Sequence, residues 1–394
     1  MDPRLNPYAP GAGTPPPELA GRDALIEEAA IALDRIRNGL AAKSLLMVGL
    51  RGVGKTVLLN RICHDAGCRG LATLLLEAPE DRSLPVLLIP PLHAVLVRMN
   101  RIAAASDAAR RALRALAGFV GAVKVGSGEL NVSLDLAPER GFADSGDLDA
   151  DLTTLVEAVG EAARDQDTAV ALFVDELQYV KERELAALIA ALHRAAQSRL
   201  PVTLVGAGLP QLVARTASAK SYAERLFTFP EIGPLDPGSA RLAIEAPARR
   251  LDVAFQPGAL EAVLQNTQRY PYFLQEWGKH CWDCATSSPV TAADVDVATR
   301  QAMAELDASF FRARFDRLAP SEKRYLRAMA ELGGGPHRSG EIAHVLAQSV
   351  RVVAPTRAKL ISKGMIYSPA HGDTAFTVPL FDAYLRRVVP FPEG

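Results

Sequence analysis

Short, continuous apolar runs punctuate the chain and stand between turn signals. SLLMVG (44–49), LATLLLEA (71–78), AVALFVDE (169–176) and PVTLVGAG (201–208) predict strands buried on both faces. LFTFPEIGPL (226–235) can supply a fifth. Between these runs apolar residues recur every three or four positions, the spacing of an amphipathic helix. Helices are predicted over about 23–38, where Leu25, Ile26, Ala29, Ala30, Leu33 and Ile36 share a face, and from Gly54 through Val57, Leu58, Leu59 and Ile62. Further helical stretches cover about 84–117, 148–165 and 182–198. Strands alternating with helices predict an α/β fold whose parallel sheet is covered on both faces. VKVGSGELNVSLDL (123–136) alternates instead, which predicts a β-hairpin insertion.

After Pro234 the strand signals stop, and residues 236–315 read as helical. A further unit follows. Helices are predicted over 321–332, capped by Ser321, over 339–349, and over 354–364 with Pro355 in the first turn. MIYSP and TAFTVP flank AHGD as a hairpin, and a helix over 380–389 closes the chain.

Composition sharpens this division. The chain has 394 residues, 49% of them hydrophobic, enough for two or three cores. Residues 1–17 hold six prolines and predict an extended N-terminal segment. The formal net charge of −1 hides a split: from Phe311 onward 13 Lys/Arg face 7 Asp/Glu, and the remainder is acidic. There is no secretory pattern and no apolar run long enough to span a membrane. The four cysteines make no disulfide framework, so a cytoplasmic protein is expected, with no membrane partner.

The chemistry concentrates at Gly49-Leu-Arg-Gly-Val-Gly54-Lys55-Thr56, which fits the phosphate-loop pattern G-x-x-x-x-G-K-[ST]. A strand delivers the chain, glycines let backbone amides approach phosphates, and a helix begins at the site. The cradle comprises Gly49, Gly52, Val53, Gly54, Lys55, Thr56 and Val57, with Lys55 reaching the β- and γ-phosphates and Thr56 ligating Mg²⁺. ALFVDELQ (171–178) supplies the acids: Asp175 to hold the metal through its water shell, Glu176 to polarise the attacking water. The cofactors expected are therefore ATP and Mg²⁺.

Gly49–Thr56 and Leu172–Glu176 resemble the Walker A and Walker B motifs of AAA+/STAND-type ATPases, and the chain is most similar to the origin-recognition-like and archaeal-type branches. The resemblance covers about residues 18–394 and implies a P-loop ATPase core (18–235), a helical lid (236–315) and a winged helix-turn-helix domain (316–394). It implies that LAGRDALIEEA (19–29), through Gly21 and Arg22, lies beside the adenine. It matches Arg225, in SYAERLFTF, to an arginine finger acting on a neighbouring subunit, and so implies self-association. Two departures point to slow, switch-like hydrolysis. The fourth strand ends without the usual sensor residue, Thr203 lying inside it, and Arg269 replaces the Gly of the lid's Gly-x-Pro while Pro271 remains.

In DNA-binding winged helices the third helix enters the major groove. Here it offers Arg357, Lys359 and Lys363, with Arg351 just before it, as contacts for duplex DNA. The alternative is a regulatory unit that packs on its own core or on a protein partner. Weaker features are read structurally. Cys281-x-x-Cys284 lacks a second ligand pair, Cys63 and Cys68 follow the phosphate loop, and the seven histidines show no metal spacing. The 123–136 hairpin is either an edge insertion or a contacting arm. The proline-rich segment NPYAPGAGTPPPELAGR either wraps near the adenine, with Tyr8 stacking on it, or is a disordered tail.

Overall fold

Ser44–Val48 forms β1, and all five of its residues are buried. Its alternate side chains serve two layers, because successive residues of a strand point to opposite faces. Leu45 and Met47 pack with Ala29, Leu33, Leu58, Leu59 and Ile62 of α1 (Asp23–Arg37) and α2 (Lys55–Cys68). Leu46 and Val48 join the opposite layer, built from α3 (Leu84–Ile102), α4 (Asp107–Ser127), α5 (Leu148–Asp165) and α6 (Glu182–Gln197). With β2 (Ala72–Glu77), β3 (Val170–Asp175), β4 (Val202–Gly208) and β5 (Phe227–Thr228), β1 makes a five-stranded parallel sheet in the order β2-β3-β4-β1-β5. The computed structural model describes residues 1–78, 83–102, 106–127 and 142–390. The carboxyl ends of β1 and β3 lie on one edge of this sheet, where open α/β folds bind ligands.

The helical stretch expected over 84–117 is two helices, and the second runs on to Ser127. Residues 123–127 of the expected hairpin are therefore helical: the stripe through Leu113, Leu116, Phe119 and Val120 overrides the short alternation. The rest of that hairpin lies outside the described residues.

Beyond α7 (Leu212–Ala219), α8 (Ala223–Leu226) and β5 the chain turns helical: α9 (Pro237–Arg249), α10 (Pro257–Asn266), α11 (Pro271–Cys284) and α12 (Ala292–Leu306). Their starts are written locally. Proline opens the first three, Asp236 caps the amides of Gly238 and Ser239, and Thr291 with Asp294 forms a capping box. A π-turn over Asp307–Phe311 leads into α13 (Arg312–Asp316). Next come α14 (Pro320–Glu331), β6 (His337–Arg338), α15 (Ser339–Val345), α16 (Val350–Ser362), β7 (Ile366–Tyr367), β8 (Asp373–Phe376) and α17 (Phe381–Val388), with an antiparallel sheet ordered β6-β8-β7.

Two details differ from expectation. Ser321 is not the cap of α14: the helix opens at Pro320, and Glu322 reaches back to the Ala319 amide. α16 starts a turn early, at Val350, so Pro355 stands in its second turn and removes the donor that would answer the Arg351 carbonyl. A single apolar cluster runs from Leu235 through Trp277, Phe311 and Tyr325 to Leu385, so α9–α12 and α14–α17 share one core.

Candidate active site

Between β1 and α2 the chain makes a tight loop. A side chain on Gly49 would strike the Ile232 carbonyl at 2.1 Å, so only glycine fits there. Gly52 (φ +82°) and Gly54 (φ +88°) lie in the left-handed region. This path leaves the amides of Gly52, Val53, Gly54, Lys55 and Thr56 with no protein acceptor among the described residues. Five successive free donors at a helix N-terminus form an anion-binding concavity. Lys55 is 8% exposed, and its ammonium donates to the carbonyls of Gly49 (3.0 Å) and Leu50 (2.9 Å). Burial pulls its pKa down to about 8, against the opposing pull of the Glu176 and Asp175 carboxylates.

Asp175 ends β3 opposite this loop. Its Oδ2 accepts from the Thr56 hydroxyl at 2.6 Å and its Oδ1 from the Glu176 amide at 2.8 Å. Burial pushes the Asp175 carboxyl up, and the Thr56 hydrogen bond partly offsets that. A hydroxyl and a carboxylate side by side are hard oxygen donors of the type that suits Mg²⁺. Glu176 stands at φ +53°, where β3 turns into a short 3₁₀ turn. Its carboxylate accepts from the Gln178 side-chain amide and lies 3.9 Å from Arg51 Nη1. Gln178, 3% exposed, also accepts from the Leu209 amide at 3.0 Å just past β4. It thereby links the acid to the strand end where no sensor residue was recognised. Thr203 is spent elsewhere, paired with Ser44 inside the sheet at 3.1 Å.

A cavity of about 430 Å³ opens over these groups. The loop residues Arg51–Val57 line it with Asp175 and Glu176, and so does Arg22, which donates to the Gly233 carbonyl at 2.6 Å. Gly21 and Gly49 stand behind the surface: a side chain on Gly21 would strike Ser239, so both glycines serve packing.

Two contributors have no signal in the sequence, and a third, the proline-rich segment, is found along the cavity as one of its two readings has it. Arg314 lines the cavity, with its guanidinium 3.8 Å above the Phe310 ring, and burial lowers its pKa to about 10. Tyr272 stacks on the same ring at 4.8 Å, and its amide donates to the Gly52 carbonyl at 3.1 Å. Residues 9–14 of the proline-rich segment lie along the cavity as a strap. The π-turn that aims Phe310 and Arg314 has no signature in the spacing of apolar residues.

Tyr8 does not face the cavity. It is buried against Gly278 of α11, and its hydroxyl donates to the Ile244 carbonyl of α9, so it anchors the strap rather than stacking on a base. Arg225 is exposed on α8 and does not line the cavity of its own chain. Of the four cations, Arg351, Arg357 and Lys359 lie on α16, Arg351 inside rather than before it, and Lys363 caps its end; two are held within the C-terminal unit. Arg357 donates to Thr374 Oγ1 (2.8 Å), Ser368 Oγ (2.9 Å) and the Asp373 carbonyl (2.8 Å), and Lys363 pairs with Glu322 at 2.7 Å. Arg351 and Lys359 are exposed. The cysteines are all free: Cys63 and Cys281 are buried, Cys284 donates to Gln301, and Cys68 lies 3.5 Å from His64. No helix among the described residues is long and apolar enough to cross a membrane.

The C-terminal unit also touches the loop. The Arg51 amide donates to the Thr377 carbonyl at 3.0 Å, and Gly364 packs against Leu209, Arg51 and Tyr179.

Residues 18–205 match the family described as AAA ATPase domain, and residues 308–385 match a domain of unknown function (DUF8462). No curated protein matches the chain. Among solved structures, the Walker-type ATPase PABY2304 of Pyrococcus abyssi superposes with TM-score 0.59 at 15% identity, covering 97% of this chain and 99% of that one. The RuvB Holliday junction branch migration motor of Thermotoga maritima gives 0.43 at 16% identity over 98% and 99%. The Aeropyrum pernix ORC1 protein in complex with DNA gives 0.45 at 15% identity over 94% and 93%. Residues 18–205 thus carry an AAA ATPase domain, and the protein is an ATPase with a P-loop fold.

Proposed function

We propose that this ATPase is a nucleotide-operated switch in which α9–α12 act as a lid and α14–α17 form a winged helix that reads the state of the phosphate loop. The observation that carries this reading is the run of five free amides at 52–56, gripped from both sides by the rest of the chain: Tyr272 of α11 holds the Gly52 carbonyl, and the Thr377 carbonyl holds the Arg51 amide. Replacing or releasing phosphates at the loop would be felt at both contacts.

The roles follow from position. The amides and Lys55 bind the β- and γ-phosphates. Thr56 and Asp175 hold Mg²⁺, which when bound neutralises phosphate charge. Glu176 takes a proton from the attacking water once it leaves Gln178 and Arg51. Arg314 approaches the phosphates from the lid side, and Arg22 steadies the loop near the nucleoside. Arg225, exposed and away from its own cavity, serves the γ-phosphate of a neighbouring copy. Glu176→Gln should keep ATP binding and lose roughly 100-fold or more in phosphate release, since a positioned general base contributes on that scale. Equal turnover in the variant would remove Glu176 from that role.

Two readings of the output differ in partner. A protein partner, or the chain's own core, is favoured by the internal use of Arg357 and Lys363 and by the apolar exposed residues Val350 and Val352 at the start of α16. Duplex DNA would rest on Arg351 and Lys359. In that case affinity should fall by about 0.9 log unit per log unit of salt for each phosphate contact, and Arg351→Glu with Lys359→Glu should abolish it. Binding that survives the double variant removes α16 as the DNA-contacting helix.

A further inference from the structure

On the lid side of Tyr272, away from the phosphate loop, α11 and α12 bring together Glu276, His280 and Glu305. One potential ligand atom from each lies within 4.8 Å of the others, and among the described residues no other group of three or more His, Cys, Asp or Glu is so placed. Glu276 and His280 are one turn apart on α11 and share a face, while Glu305 comes from the last turn of α12.

One buried atom of this cluster has no partner, and a second faces only the exposed Glu305. Glu276 is 5% exposed: its Oε1 accepts from the Tyr272 hydroxyl at 2.8 Å, but Oε2 has no partner. His280 is 7% exposed, and its Nε2 faces Glu305 Oε2 at 3.1 Å, an ion pair only when the imidazole is protonated. Lys279 donates to both oxygens of Glu305, at 3.0 Å each, and to neither oxygen of Glu276. The pairing with Lys279 therefore accounts for the exposed acid and leaves the buried Glu276 Oε2 unexplained.

We propose that Glu276, His280 and Glu305 form a site for a divalent transition-metal ion, with zinc the best match. One imidazole and two carboxylates are a normal zinc donor set, leaving a fourth position for water. Tetrahedral zinc with ligands at about 2.1 Å needs donors about 3.4 Å apart. The 3.1 Å between His280 and Glu305 is already close to that, and a carboxylate rotation brings in Glu276. The imidazole selects against Mg²⁺, which separates this site from Thr56 and Asp175. The bound ion would pin α11 to α12 and fix, through Glu276, the Tyr272 that holds the phosphate loop.

The test uses the full chain, stripped with chelator, titrated with zinc chloride by calorimetry and assayed for bound zinc by elemental analysis. The proposal expects one ion per chain in excess Mg²⁺ and a raised Tm. Affinity should fall by roughly 100-fold or more in Glu276→Gln and His280→Asn. Glu305→Gln, at the exposed end, should show the same loss without disturbing the core. Lys279→Met, which removes the competing cation, should bind zinc more tightly. Cys68→Ala controls for the thiol beside His64 and should change nothing. No uptake by the stripped chain, or uptake that depends on Cys68 and persists in Glu305→Gln, overturns the site.

Discussion

Lys55 couples the loop's electrostatics to pH. It loses its proton near pH 8 in the folded, ligand-free protein and near 10.5 when unfolded. Between those values the unfolded chain binds more protons, so stability rises with pH; the rise reaches about 3 kcal/mol and vanishes below pH 8, where both forms are protonated. Denaturant titrations of wild type and Lys55→Met across that window check this, since only the wild type should show the Lys55 part of the slope. ATP binding has the opposite sign: above about pH 8 the site must take up a proton to restore the ammonium, so affinity falls. At neutral pH Lys55→Met should weaken ATP by roughly 10- to 100-fold, the scale of a charge-assisted hydrogen bond. Lys55 and Thr56 stood out as candidates because a strand, a glycine loop and a helix follow one another directly in the chain, and Asp175 and Glu176 because an apolar strand ends in two acids. Arg314, Tyr272 and Gln178 did not, because distant folding brings the first two to the cavity and the third looked like an ordinary polar residue after two acids. Glu276-x-x-x-His280 was present as a helical pair, yet its third member comes from another helix.

Elements carry the next set of consequences. The strap is fastened to α9 and α11 by Tyr8, and by Asn6, whose side chain donates to the Lys279 carbonyl at 3.0 Å and to Asp283 at 2.8 Å. Proline content agrees with its mostly extended path, broken by a 3₁₀ turn over Pro3–Leu5, but the groove between two later helices that receives Tyr8 has no signal in the segment itself. Gly278 makes that groove: a methyl there would lie 2.5 Å from the Tyr8 ring. Gly278→Ala should therefore expel Tyr8, lower stability by about 1–3 kcal/mol as an overpacked site does, and speed proteolysis of the first residues. Undiminished N-terminal protection would show that the strap is held elsewhere. The four long strands of the sheet were legible because they are short apolar runs; their order was not, and the fifth is only Phe227–Thr228. The start of α16 was not legible, because Pro355 was taken as a first-turn residue.

At the scale of the molecule, one core joins α9–α12 to α14–α17, and this body meets the nucleotide domain at the phosphate loop. Gly364 lies at that seam with φ +63°, and a side chain there would come within 3.0 Å of Leu209 and 3.1 Å of Arg51. Gly364→Ala should loosen the seam, quicken release of a fluorescent nucleotide and leave secondary structure intact by circular dichroism. An unchanged release rate would mean that the seam does not govern exchange. The helical character after Pro234 was readable from where strand signals stop, but the core shared by α9–α12 and α14–α17 was not, since periodicity reports which face of a helix is apolar and not which helix will cover it. The bonds that fasten the loop at Gly52 and Arg51 join main-chain atoms only. The identities of the Arg51, Tyr272 and Thr377 side chains do not enter these bonds, proline in place of Arg51 or Tyr272 excepted, so those three positions are free to acquire new specificities while the transmission stays in place.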